Sequence, residues 1–180
     1  MVASKATFWE GEPLLSKEFL LEIQQYVDNH LTITSLNLCE SVTYSDFSIH
    51  DEKIPNELKK FIEIKRQPTL KQVLFKLIDQ KGLSDPEIYK KAGLDRKLFS
   101  KIRSIPSYRP GKNIIIALAL ALELTKKETD KLLSSAGYSL SDCDTADLVI
   151  QFFIEKKNYD IFQVNEALEY FSLKPLVGSL

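Results

Sequence analysis

Between Thr69 and Gly137 the chain marks its helices at both ends. Thr69 stands three positions before Gln72, Ser84 before Glu87, and Thr125 before Glu128. In that spacing a hydroxyl and a carboxylate or amide satisfy each other's backbone N–H groups at a helix start. Gly82, Gly93 and Gly137 follow the apolar runs, where a residue that tolerates positive φ closes a helix at little cost. Starts and stops this close together exclude long helices over the stretch and leave little length for strands. They predict short helices packed against one another, and hence a mainly α protein.

The same signals give an order. A first helix runs from Thr69 to Gly82 and a second from Ser84 to Gly93. A third opens at the cap residue Asp95, with Leu98, Phe99 and Ile102 on one side and Arg96, Lys97, Ser100, Lys101 and Arg103 mostly elsewhere. Pro106, Pro110 and Gly111 make Ser104 to Lys112 a loop. Ile114 to Leu124 is apolar almost all round, so it reads as the buried central helix, with Ile115, Leu118 and Leu122 in the core. Thr125 to Ala136 turns Leu132 and Leu133 inward. A helix from Asp144 to about Lys157 buries Leu148, Val149, Phe152 and Phe153. A last one, from Asp160, buries Phe162, Val164, Leu168 and Phe171, and a tail follows from Leu173 to Leu180.

The N-terminal part is written differently. Phe19, Leu20, Ile23, Tyr26, Val27 and Leu31 fall at helical spacing behind Ser16, predicting a helix to about His30. From Leu31 to His50 apolar and polar residues alternate, which fits short strands or an irregular segment pinned by its apolar residues. Pro55 suits the first turn of a helix to about Lys65 with Leu58, Phe61 and Ile62 inward. Gln67-Pro68 ends it, because a residue before proline avoids the helical region. That break divides the chain into an acidic α or α+β layer, residues 1–67, and a helical bundle with two extra C-terminal helices, residues 69–180. Seven or eight helices are expected in all.

Charge is distributed by segment. Residues 1–70 hold seven Lys and Arg against eleven Asp and Glu, a balance of −4. Residues 71–112 hold eleven against four, +7, and residues 113–180 hold six against ten, −4. A basic centre between acidic flanks meets either an anionic partner or the flanks themselves.

Several function classes find no residues to carry them. No apolar run is long enough for a membrane helix, and no basic-plus-apolar leader opens the chain, so a cytoplasmic protein is expected. Cys39 and Cys143 form no metal or redox spacing and read as free thiols. The six glycines are isolated, which leaves no phosphate loop. His30 and His50 lack ligand partners nearby. Asp142, Asp144 and Asp147 lack the glycine turn and terminal glutamate of a calcium loop and read as caps and a solvated face. The expectation is a protein without enzymatic activity, cofactor or metal.

Lys81-Gly82-Leu83-Ser84, Glu87-Ile88, Gly93-Leu94-Asp95, Leu98 to Ile102 and Ala119 to Leu124 together carry a likeness. In them the segment Leu74 to Leu124 resembles the lambda-repressor-like (XRE-type) helix-turn-helix family. The resemblance implies a bundle whose third helix meets DNA. Three positions depart from it. Asp85 replaces the usual glutamine at the start of the second helix, Tyr89 a small residue, and Arg103 an acid after the third helix's last apolar residue. Thr69 to Gly178, with its terminal Lys174-Pro175-Leu176-Val177-Gly178, also resembles an uncharacterised bacterial helix-turn-helix module. That module occurs alone or joined to other domains, including macrodomains, which suggests a regulator or adaptor.

Two functions follow. In one, the chain binds duplex DNA. Arg96, Lys97, Ser100, Lys101 and Arg103 approach it from the third helix, and Lys81, Arg109 and Lys112 sit on the phosphate backbone. In the other, the same basic helix binds an acidic protein partner. A homodimer is compatible with both.

Overall fold

A computed structural model describes residues 15–34 and 54–177. Among them are nine helices and no strand: α1 (Lys17–Thr34), α2 (Ile54–Lys65), α3 (Leu70–Lys81), α4 (Asp85–Lys91), α5 (Arg96–Ser104), α6 (Lys112–Ala121), α7 (Lys126–Ser135), α8 (Thr145–Glu155) and α9 (Ile161–Tyr170). The protein is mainly α. No helix among the described residues is long and apolar enough to cross a membrane.

The reciprocal caps form where the spacing places them. The backbone N–H of Thr69 donates to Gln72 Oε1 at 2.9 Å, that of Ser84 to Glu87 Oε2 at 2.8 Å, and that of Thr125 to Glu128 Oε2 at 2.9 Å. Gly82 and Gly93 take φ of 64° and 60°, which a Cβ would strain. Asp95, Asp144 and Asp160 accept backbone N–H bonds at the starts of α5, α8 and α9.

The buried centre is α6. Every residue from Ile115 to Ala121 is buried, because α4, α7 and α9 all pack against it. A helix apolar on every side has no solvent face to offer and so ends in the middle of a bundle. α3 lies on α7, and α8 lies between α9 and α1. α1 meets α8 through Phe19, whose ring stands edge-on to Phe152 and Phe153 at 5.6 and 5.7 Å, and through Tyr26 at 5.2 Å from Phe152. Leu15, Ile23 and Val27 thereby join the same hydrophobic cluster as α3–α9.

The C-terminal residues close the other side. Leu176 is buried, and its N–H donates to Asn165 Oδ1 at 2.9 Å. Val177 lies so near the α4–α5 turn that a Cβ on Gly93 would sit 3.2 Å from its Cγ2.

Five expectations need correction. Nine helices form among the described residues where seven or eight were expected, because each capped segment folds as a helix of its own. α1 runs to Thr34, so Leu31 and Ile33 continue its helix instead of starting a strand; residues 35–50, the rest of the alternating segment, lie outside the described residues. Leu58, Phe61 and Ile62 of α2 are exposed. Helical spacing says which side chains share a face, not whether another element covers it. Phe162 is 74% exposed. Ile161, Val164 and Leu168 set the inner face of α9, and Phe162, one residue after Ile161, points roughly 100° away from it. Finally, Asp147 is buried and not part of a solvated face.

Candidate functional site

α5 is short, and its direction is set at both ends. Asp95 Oδ1 accepts from the Lys97 N–H at 2.8 Å, which fixes where the helix begins. Phe99 and Ile102 are buried, and Leu98 is half-buried against the core. The opposite face carries Arg96, Lys97, Ser100 and Lys101, all exposed. None of the three cations forms an ion pair among the described residues.

Arg103 is used differently. Its guanidinium pairs with Asp85 at the start of α4 and lies over the Phe75 ring of α3, 4.8 Å from the centroid. Two of the unusual positions thus answer each other: Arg103 neutralises the aspartate that stands where a glutamine was expected. The third, Tyr89, is half-buried with its ring 6.1 Å from Phe99, and Phe75 meets Phe99 edge-on at 6.2 Å. Phe75, Tyr89, Phe99 and Arg103 therefore lock α3, α4 and α5 together.

The three cations expected on the phosphate backbone lie apart from one another. Lys81 donates from Nζ to the Glu123 carbonyl at 3.2 Å, beside the Lys91–Glu123 ion pair, also 3.2 Å. Arg109 stacks on Tyr138 at 4.7 Å and lies against the backbone of Gly137. Lys112 holds Asp147 Oδ2 at 2.5 Å, and the same oxygen accepts from the Ser141 N–H at 2.8 Å. The Asp147 side chain is only 5% exposed and that of Lys112 28%. Lys112 therefore joins the first turn of α6 to α8 and compensates a buried carboxylate.

The acidic flanks do neutralise part of the basic segment, through Glu123 and Asp147. Among the described residues no flanking acid pairs with the outward face of α5. Glu87 remains an anion at the start of α4: the Ser84 hydroxyl, and then its N–H, hold that carboxyl below the usual range. Among the described residues no three His, Cys, Asp or Glu side chains gather as metal ligands. Cys143 is exposed, and Cys39 and His50 lie outside the described residues. His30 Nδ1 lies 2.9 Å from the Tyr26 carbonyl within α1.

Sequence reasoning missed a groove of about 570 Å³ between the ends of α4 and α6 and the start of α9, lined by Lys90, Lys157, Tyr159 and Phe162 among others. These residues are far apart in the chain, and only the exposure of Phe162 distinguishes them. Burial, and then the charges of Glu123 and Glu128, push the Tyr159 hydroxyl upward, so it stays protonated. No family model, no curated protein and no solved structure matches the chain.

Proposed function

We propose that the chain is a non-enzymatic, lambda-repressor-like helix-turn-helix regulator that binds duplex DNA through α5. One observation carries the reading. Arg96, Lys97 and Lys101 share an exposed face of a capped helix and have no acidic partner among the described residues, while Lys91, Arg103 and Lys112 are held in internal ion pairs. Isolated cations on a rigid helix are suited to phosphates, which they bind chiefly by releasing counterions. Ser100 between them offers a hydroxyl to a base edge or a phosphate. The Asp85–Arg103 pair supports the same reading, because it removes an unpaired negative charge from the start of α4.

The test is a salt titration of binding to random duplex DNA. The wild type should bind at low salt, with log K falling linearly in log salt. Lys97→Gln with Lys101→Gln should weaken binding and flatten that slope by about two units. No binding by the wild type at low salt refutes the proposal. The second reading, an acidic protein partner, is favoured by Ile105. This apolar residue closes α5 and is exposed beside the basic face, where a protein surface would cover it and a DNA backbone would not. In that case the double substitution should mainly slow association.

A further inference from the structure

α2 is amphipathic, yet no residue from Asn56 to Lys65 is buried. Leu58, Phe61, Ile62 and Ile64 are between 48% and 81% exposed. Leu58, Phe61, Ile62 and Lys65 stand at i, i+3, i+4 and i+7, which places them along one stripe. Lys65 lies on that stripe in fact as well as in spacing, since its Nζ sits over the Phe61 ring at 5.9 Å. Whatever covers the stripe must bury large apolar side chains and supply a carboxylate for Lys65, because an unpaired cation at an apolar contact is costly.

A second copy of α2 meets both needs. In an antiparallel pair with its two-fold axis between Phe61 and Ile62, Leu58 of each copy lies level with Lys65 of the other, and Phe61 level with Ile62. Glu57, which flanks the stripe, falls within about 1.5 Å of the level of the second copy's Lys65 along the axis. The two-fold repeats that ion pair. An anionic lipid surface fits less well: it would favour the lysines, but it would repel Glu57 and Glu63, and α2 offers only about three turns.

We propose that α2 is a self-association surface, through which two copies of the chain pair antiparallel with Phe61 and Ile62 at the centre and Glu57–Lys65 ion pairs on either side. This pairing is independent of what α5 binds. A contact this small is at the weak end of specific interfaces, so a dissociation constant on the order of 10 μM is expected.

The test is the molar mass of the full chain without DNA, by light scattering or sedimentation equilibrium, over roughly 1 to 200 μM. The wild type should pass from monomer to dimer across that range. Phe61→Glu should raise the dissociation constant by at least about tenfold. Its melting temperature should not fall when both proteins are compared at the monomeric end, since Phe61 lies outside the core. Glu57→Lys alone should weaken the dimer, and adding Lys65→Glu should restore it, because the double exchange recreates the pair with its signs reversed. A wild type monomeric throughout, or a dimer that Phe61→Glu leaves unchanged, overturns the proposal. So does failure of the double exchange to restore what Glu57→Lys loses. A monomer that sediments with phosphatidylserine vesicles through α2 assigns the stripe to a lipid surface instead.

Discussion

Lys112 was expected to touch a partner and is found holding the fold, and the two roles separate cleanly in an experiment. Lys112→Ala removes the cation from Asp147, whose side chain is 5% exposed. Stripping one partner from a fully buried ion pair costs about 3–5 kcal/mol, chiefly because the remaining charge has lost its compensation. Two features lower the cost here. The Ser141 N–H still donates to Asp147 Oδ2, and the lysine side chain is 28% exposed, so water reaches the space it leaves. About 2 kcal/mol is the expected loss. For a chain of this size that lowers the melting temperature by about 4–8 °C. The assay is a urea melt of Lys112→Ala beside Lys97→Ala, with duplex binding measured on both. Lys112→Ala should lose stability and keep its salt slope, whereas Lys97→Ala should keep its stability to within about 0.5 kcal/mol and lose about one unit of slope. Lys112→Met combined with Asp147→Leu should recover most of the stability, since replacing both members of a buried pair by apolar groups is often neutral. A Lys112→Ala protein as stable as wild type but weaker on DNA would refute the assignment of Lys112 to the fold.

Other outcomes follow from the packing. Leu118→Ala, at the centre of α6 and fully buried, should cost on the order of 2–5 kcal/mol in a denaturant melt; a change below about 0.5 kcal/mol would mean that α6 faces otherwise. Gly93→Ala meets both a φ of +60° and the Val177 side chain, and should cost at least about 1 kcal/mol; Val177→Ala in the same background should relieve only the steric part. Thr129 is fully buried and its hydroxyl has no partner among the described residues, so Thr129→Val should leave stability unchanged or raise it. Glu87 and Glu128 are both held below the usual carboxylate range, Glu87 by the Ser84 hydroxyl and Glu128 by the Thr125 N–H. Their caps therefore contribute stability above the unfolded carboxylate value, about 4.3, and lose it as pH falls through the lower folded values. Replacing both by Gln should make the urea midpoint fall less steeply with acid; the Thr69–Gln72 cap, which does not titrate, is the internal reference.

What could be read from the chain alone was local. Capping boxes and helix-stopping glycines act within a few residues, so Thr69, Ser84, Thr125, Gly82 and Gly93 kept in the fold the roles their spacing implied. The inner faces of α5, α6 and α7 were legible for a related reason: Phe99 and Ile102, or an unbroken run such as Ile114 to Leu122, leave one way to hide apolar area. What escaped was pairing between distant parts of the chain. Nothing at position 112 announces a buried carboxylate at position 147, because a lysine in the first turn of a helix is ordinary on a surface. Of the two departures at Asp85 and Arg103, one adds a negative charge and the other a positive charge. They cancel once α4 and α5 are folded against each other. α2 failed differently: Leu58, Phe61 and Ile62 do share a face, and spacing has no means of saying that no described element covers it.

The charge pattern gains its meaning from those pairings. Had the acidic flanks folded evenly over the basic segment, α5 would carry no field of its own, and the chain's net charge of −1 would describe its surface fairly. Instead, among the described residues, the flanking acids that form ion pairs with the segment, Glu123 and Asp147, take Lys91 and Lys112, which lie outside α5. Arg103 is taken by an acid of the segment itself. The cations that remain on α5 are those on the helix face away from Phe99 and Ile102. A face that no described acid compensates, while its neighbours are neutralised, carries a local positive potential among the described residues. Such a potential acts over about a Debye length. On the proposed function it suits a partner that can bring several negative charges within roughly 10 Å of Arg96, Lys97 and Lys101 at once, as the evenly spaced phosphates of a duplex do.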